Sequence, residues 1–73
     1  MNLLELGDEI RHLRKQRGMS QEVLAKEVGI SRATLSKIEN GKISQTSIVL
    51  INDILNHLGY EVCIRAFNPF ITG

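Results

Sequence analysis

The sequence predicts a small all-α domain of four helices, followed by one short C-terminal β-strand. Three observations support this prediction. Apolar residues recur at helical spacing, serine and glycine interrupt them at intervals, and the apolar period changes to two after Gly59. A chain of 73 residues forms one small domain, and its single cysteine, Cys63, excludes a disulfide within the chain. Close helix packing and association of subunits therefore remain as sources of stability.

The first predicted helix ends around Arg17, where Gly18 stands as a C-terminal cap. Asn2 and Glu5 have the spacing of a capping box at its beginning. Gly7 weakens the first turn, so the helix begins either at this box or nearer Leu6. One apolar stripe faces the core: Leu3, Leu6, Ile10 and Leu13.

Two short helices joined by a tight turn follow. Ser20 is a suitable N-cap for the second helix, which Gly29 ends after about eight residues. Ser31 caps the third helix, which Asn40 and Gly41 end. Two helices joined in this way form a helix-turn-helix. The residues predicted to hold the pair together are Leu24, Ala25, Val28, Ile30, Leu35 and Ile38.

The fourth predicted helix follows the polar stretch 42–47 and reaches Leu58. Apolar residues cover most of its circumference, which predicts burial on more than one side. Residues 60–67 alternate as in a β-strand, but nothing else in the chain resembles a strand. Because an unpaired strand leaves its backbone donors and acceptors unsatisfied, we expect it to pair with the same strand of a second copy. The residues predicted to form this homodimer are Tyr60, Val62, Ile64, Leu50 and Ile54.

The predicted organisation is thus a helix-turn-helix domain at residues 1–59, a dimerisation strand at 60–67 and a tail at 68–73. Charge is unevenly spread along it, although the net charge is only +1. Residues 11–42 carry eight basic and three acidic residues. A basic segment alone is more often a solvated surface than a binding site. The segment 11–42 contains no aromatic residue on which the bases of a single strand could stack, so we expect any nucleic-acid partner to be a duplex.

Four residues of the third helix share one outward side. In a helix-turn-helix the N-terminal part of the second helix enters the major groove. There, an arginine can form two hydrogen bonds with guanine, and an alanine can contact a thymine methyl group. The residues predicted to contact bases are Arg32, Ala33, Ser36 and Lys37.

The segment 14–42 resembles the Xre/Cro/phage-repressor type of helix-turn-helix. The likeness lies in the SQ-x-x-LA-x-x-x-G-x-S opening and the I-E-N-G-K close, and it extends over residues 5–59. It implies a four-helix lambda-repressor-like fold and a repressor that binds a pseudo-palindromic double-stranded operator as a dimer. It also implies an ion pair between Arg14 and Glu39. Contacts with DNA phosphates are implied for Gln21, Ser31, Asn40 and Lys42.

The chain departs from the commonest family pattern after Lys42. Thr46 stands where a proline usually opens the fourth helix, and a strand replaces the usual fifth helix. This ending resembles the HipB-type antitoxins, small dimers whose C-terminal strands pair and whose partner is a kinase-like toxin. The alternative function is therefore that of an antitoxin, whose main role is to bind and neutralise such a toxin.

No enzyme activity, metal or cofactor is expected. His12 and His57 lack a carboxylate or cysteine at ligand spacing, and Cys63 lacks a base to activate it. Asp8 and Glu9 are interpreted as first-turn charges rather than an acid–base pair. No apolar run approaches the ~20 residues of a membrane span, and no signal peptide is evident. We therefore expect a cytoplasmic, nucleoid-associated protein without a membrane partner.

Overall fold

The computed structural model describes residues 3–43 and 46–62, which contain four α-helices and no strand. The predicted all-α class and the four predicted helices are confirmed. The first helix already includes Leu3, so it extends further towards the N-terminus than Leu6, and Asn2 of the predicted capping box lies outside the described residues. The helices are α1 (Leu3–Gln16), α2 (Gln21–Val28), α3 (Arg32–Glu39) and α4 (Ile48–His57).

Serine caps begin three of the four helices. The Oγ atoms of Ser20, Ser31 and Ser47 each accept a 3.1 Å hydrogen bond from the backbone N–H three residues further on. A cap of this kind contributes about 1 kcal/mol. Gly29 follows α2 with a φ of 84°, and its N–H donates to the carbonyl oxygen of Ala25 at 2.9 Å. This left-handed residue turns the chain sharply from α2 into α3.

One hydrophobic core joins the four helices. The predicted apolar stripes supply most of it, and Leu6, Val28, Ile30 and Leu50 pack around its edge. Because the core fixes how each helix is rotated about its axis, it decides which side of α3 faces outward. The buried apolar residues are Ile10, Leu13, Leu24, Ala25, Leu35, Ile38, Ile43, Ile51, Ile54, Leu55 and Leu58.

The sides of α4 differ in burial. Ile54, predicted to lie at the dimer interface, is fully buried in the core of the single subunit. Ile54 lies one turn from Ile51 and Leu58 and shares their inward side. Ile48 and Val49 are instead 63% and 74% exposed. One side of α4 is therefore buried in the core. Another side carries apolar residues that are exposed in the part of the chain that the structure describes.

Gly7 allows α1 to approach the C-terminal end of α3 closely. A Cβ atom built on Gly7 would lie 2.5 Å from the carbonyl oxygen of Ile38 and 2.7 Å from that of Glu39. Real Cβ contacts are essentially never shorter than 3.0 Å. The sequence pattern indicated only that Gly7 weakens a turn, whereas the structure makes it a packing requirement.

Only the beginning of the predicted C-terminal strand belongs to the described structure. Residues 60–62 have no regular secondary structure, and residues 63–73, which include Ile64, lie outside the described residues. The backbone N–H of Val62 donates a 2.9 Å hydrogen bond to Oδ1 of Asn52. The chain therefore runs alongside α4 at this point.

Candidate nucleic-acid interface

The residues predicted to contact bases lie together on the outer side of α3. Three of them are exposed and Ser36 is half-buried. Leu35 and Ile38 anchor the opposite side in the core, with exposed fractions of 0% and 1%. Rotation of α3 about its axis would expose these two side chains, so the outward side is held in place. The outward residues are termed the recognition face: Arg32, Ala33, Ser36 and Lys37.

Three of the predicted phosphate contacts have different surroundings. The hydroxyl of Ser31 accepts from the N–H of Thr34 at 3.1 Å and lies 2.8 Å from the Thr34 hydroxyl, so it serves as a cap. The Oδ1 atom of Asn40 accepts from Nη2 of Arg11 at 3.1 Å. Lys42 is exposed, and its ammonium group has no hydrogen bond or ion pair with the described residues. Among these three, Lys42 is the most available to a phosphate.

A buried ion pair lies beneath the recognition face. Nε of Arg14 donates to Oε2 of Glu39 at 2.7 Å, and Nη2 donates to Oε1 at 3.0 Å. The ion pair is therefore bidentate. The Glu39 side chain is fully buried, and that of Arg14 is 8% exposed. Nη1 of Arg14 also donates to the carbonyl oxygen of Met19 at 2.8 Å. The pair thus joins α1, the turn before α2 and the end of α3.

Arg11 is a second basic residue at this site, and the sequence motif did not predict it. Its Nη2 donates to the carbonyl oxygen of Glu39 at 3.1 Å as well as to Asn40, and its Nε lies 3.6 Å from Oε1 of Glu39. Its position three residues before Arg14 was the available signal, since this spacing places both on one side of a helix. Because a guanidinium only donates, Asn40 must turn its oxygen toward Arg11 and its amino group away.

Gln21 connects the buried carboxylate with the recognition face. Its Nε2 donates to Oε1 of Glu39 at 3.1 Å. Its Oε1 accepts from Nη1 of Arg32 at 3.3 Å. The resemblance implied a phosphate contact for Gln21, whereas in the structure both ends of its amide bind protein groups.

The pKa of Glu39 lies below its ordinary value of 4.5. Burial raises this pKa, but hydrogen bonds from Arg14 and Gln21 and the charges of Arg14 and Arg11 lower it by more. In the described part of the chain, every buried side-chain nitrogen and oxygen has a hydrogen-bond partner. Glu39 is therefore ionised at neutral pH, and protein groups replace its lost hydration.

We expect acid to destabilise the fold through Glu39. Its pKa is lower in the folded than in the unfolded chain, so its contribution to stability is fully present above about 4.5. That contribution is lost as the pH falls through the folded-state pKa. A carbon-detected NMR titration of Glu39 should therefore give a midpoint below 4.5, and the free energy of unfolding should fall over the same interval. A midpoint above the ordinary value would contradict the observed network.

Residues 3–43 and 46–62 contain no group of three histidine, cysteine or acidic residues that could hold a metal ion. In this part of the chain, His57 has a local contact, with its Nδ1 atom 2.8 Å from the carbonyl oxygen of Asp53. None of the described helices has the length and apolar character needed to cross a bilayer.

A capped pair of short helices whose second member exposes polar and basic residues defines a DNA-binding domain of the helix-turn-helix class. The sequence model of a family described as helix-turn-helix matches residues 10–63. The chain belongs to this family, of the Xre/Cro type, which confirms the resemblance seen in its sequence.

A relative from the archaeon Methanothermobacter thermautotrophicus is similar to most of the chain. It is described as an uncharacterized HTH-type transcriptional regulator and is 42% identical over 52 residues. The match covers 71% of this chain and 74% of the relative.

Proposed function

We propose that this protein is a sequence-specific, double-stranded-DNA-binding transcriptional regulator that acts as a repressor. The observation that carries the proposal is the recognition face, which begins at the capped N-terminus of α3 and is held outward by the buried Leu35 and Ile38. This is the part of the motif that enters a major groove. The description of the archaeal relative as a transcriptional regulator supports the same function.

The charges near the recognition face suit a DNA backbone. Arg32 and Lys37 on α3, and Lys42 just beyond it, are exposed. Arg14 is different, because Glu39 neutralises it inside the domain. Exposed cations that neutralise phosphates release counterions, so we expect binding to weaken with rising salt concentration.

The proposed repressor binds its operator as a homodimer. One recognition helix buries too little surface for tight binding, whereas a two-fold pair can bind half-sites about one helical turn apart. Exposed apolar side chains on α4 and in the segment that follows it, together with the half-buried Leu50, support a subunit interface there. These exposed residues are Ile48, Val49, Tyr60 and Val62.

Selection from randomised duplex DNA tests the proposed function. We expect a pseudo-palindromic sequence whose half-sites are centred about one helical turn apart. If the folded protein enriched no sequence, specific DNA binding would be excluded. Transcription from a promoter overlapping the selected site should fall when the protein is added, as repression requires.

Alanine substitutions at Arg32 and Lys42 should have different effects on DNA binding. Arg32→Ala removes a predicted base contact, so it should cost about 1–3 kcal/mol and relax specificity at one position of each half-site. Lys42→Ala removes a predicted phosphate contact, so it should weaken binding to all sequences alike and reduce the salt dependence. Titrations against the selected operator and its single-base variants measure both effects. An unchanged sequence preference for Arg32→Ala would show that the recognition face is wrong.

Disruption of the predicted strand should abolish the dimer. Ile64→Pro removes a backbone donor and restricts φ, so it should give monomer or aggregate and lose tight operator binding. Ile64→Val keeps the donor and a branched side chain, and it should remain dimeric. Val62→Pro is a less clean test, because the Val62 N–H already donates to Asn52 within the subunit. Light scattering distinguishes these outcomes, and a well-folded dimer lacking residues 60–73 would require a different interface.

An antitoxin role is the alternative function, with a kinase-like toxin as the partner. It is supported by the sequence after α4, where Gly59 leads into the alternating segment 60–67 that resembles the HipB type. Co-purification of a kinase-like protein from the native source, followed by inhibition of that kinase, would support this role. Because one dimer can have both roles, the absence of a co-purifying kinase-like protein, rather than repression, would favour the regulator alone.

A further inference from the structure

We propose that Arg11 is a positioning residue for the DNA backbone, which holds the Asn40 amide so that its nitrogen faces a phosphate. This inference rests on the proposed DNA-binding function, and it concerns a residue that the sequence motif did not single out. Nη2 of Arg11, in α1, donates to Oδ1 of Asn40, the C-cap residue of α3, at 3.1 Å. The contact therefore joins α1 to the end of the recognition helix.

This hydrogen bond decides which end of the Asn40 amide is free. Because a guanidinium only donates, Oδ1 of Asn40 must face Arg11. Nδ2 then points away from Arg11, and in the part of the chain that the structure describes it has no hydrogen-bond partner. Asn40 is exposed, so these N–H donors are open to a ligand. A phosphate oxygen only accepts, so it would meet the donating end of the amide.

Protein groups already occupy most of the Arg11 guanidinium. Nη1 donates to Oδ1 of Asp8 at 3.3 Å, Nη2 also donates to the carbonyl oxygen of Glu39 at 3.1 Å, and Nε lies 3.6 Å from Oε1 of Glu39. Two carboxylates therefore offset its positive charge, and its side chain is only 35% exposed. Arg11 is thus better suited to holding a neighbouring side chain than to neutralising a phosphate itself.

Arg11 also changes the electrostatics at the end of α3. The last carbonyl groups of a helix carry partial negative charge, which repels a phosphate unless donors cover them. The carbonyl oxygens of residues 36–38 accept from the backbone N–H groups of residues 40–42. The carbonyl oxygen of Glu39, which follows them, accepts from Arg11. The end of α3 therefore offers a phosphate side-chain donors rather than uncovered carbonyl oxygens.

Aspartate at position 40 would reverse the group that faces outward. It has the shape of asparagine, but both of its oxygens accept hydrogen bonds. One oxygen would pair with Arg11, and the other would take the place of Nδ2 and repel a phosphate. Asn40→Asp should therefore keep the domain folded, as thermal unfolding measures, and yet bind duplex DNA more weakly than Asn40→Ala does.

The main test is a double-mutant cycle on the full chain with Arg11→Met and Asn40→Ala. Methionine keeps a long side chain and removes every donor. Affinities are measured for the selected operator, its single-base variants and an unrelated duplex. Arg11→Met should weaken binding to all of them alike, by about two- to tenfold per half-site, the range that one hydrogen bond provides. It should add no effect to Asn40→Ala.

Salt dependence separates a positioning residue from a direct phosphate contact. Asn40 is uncharged, so loss of its contact should leave the slope of log affinity against log salt concentration unchanged. Lys42→Ala is the matched control, because loss of an ammonium–phosphate contact lowers that slope. Arg11→Lys keeps a donor at this position and should recover part of the affinity that Arg11→Met loses.

NMR relaxation of the Asn40 side-chain amide in the free protein gives a readout that needs no DNA. The amide group should move more freely in Arg11→Met than in the native chain, although thermal unfolding shows the fold to be intact. If Arg11→Met does not fold, Asn40→Asp becomes the deciding variant, because it leaves Arg11 in place.

Four outcomes would overturn the positioning role. They are a lower salt slope in Arg11→Met, an undiminished loss in the Asn40→Ala background, unchanged mobility of the Asn40 amide, and native affinity in Asn40→Asp. Failure of the proposed function would look different, because the native chain would then enrich no sequence at all, and the positioning role would fall with it.

Discussion

Replacing Glu39 by alanine is expected to unfold the domain or leave it barely folded at room temperature. Its partner Arg14, whose side chain is 8% exposed in the native fold, would be left with an uncompensated charge. Removing one member of a buried pair costs about 3–5 kcal/mol. A core in a domain of this size rarely supplies more than about 3–5 kcal/mol in total. Denaturant unfolding, with an osmolyte added if the variant is unstable, measures the loss.

The same experiment on Arg14→Ala and on the double variant tests whether the two residues act together. Because the bonds between them are 2.7 and 3.0 Å long, the double change should cost less than the sum of the single changes. Asp8→Ala is the matched control. Asp8 pairs with Arg11 at 3.3 Å, but its side chain is 61% exposed, so its loss should cost at most about 1 kcal/mol. Additive effects of Arg14→Ala and Glu39→Ala would contradict the observed pair.

Gly7→Ala is expected to destabilise the domain, against the usual preference of helices for alanine. In an unobstructed helix interior this change would stabilise by about 1 kcal/mol. Here the new methyl group would meet the carbonyl oxygens of Ile38 and Glu39 at 2.5 and 2.7 Å. These are backbone atoms that cannot rotate away, so α1 and α3 must separate. We expect a net loss of about 1–3 kcal/mol, typical of overpacking, in the free energy of unfolding.

Gly18→Ala provides the control for Gly7→Ala. Gly18 has a φ of 67°, and a Cβ built on it meets nothing within 4 Å. Its replacement should therefore cost only backbone strain, about 1–2 kcal/mol, without disturbing the contact between α1 and α3. Operator binding distinguishes the two variants further, because only Gly7→Ala displaces the end of α3. If Gly7→Ala stabilised the domain, the close approach of α1 and α3 would be wrong.

The helices and the helix-turn-helix were predictable because their signals are local in sequence. Serine N-caps lie immediately before α2, α3 and α4, and Gly29 follows α2 directly. Helical periodicity similarly identified Leu35 and Ile38 as core residues, which left the recognition face on the other side of α3. Such features depend on residues within one or two turns of each other, so their spacing contains the necessary information.

The contacts around Glu39 were decided by tertiary structure. Its partners are 25 residues away at Arg14, 28 at Arg11 and 18 at Gln21, measured along the chain. No local period relates such positions, and the Arg14 pair was anticipated only through the family resemblance. Arg11 lacked even that signal, and the two protein contacts of Gln21 were not implied by the resemblance.

The packing of Gly7 and Ile54 against other helices was likewise not predictable from local sequence patterns. The sequence identified Gly7 as a poor helix former, but its need for space arises from carbonyl oxygens on a different helix. Ile54 belongs to an apolar helix that could turn several sides inward, and only the position of the other helices buries it in the subunit core. The sequence by itself determined which segments are helices and which side of α3 is polar. Tertiary structure decided how closely the helices approach and which side chains meet, because those distances depend on the whole packed core.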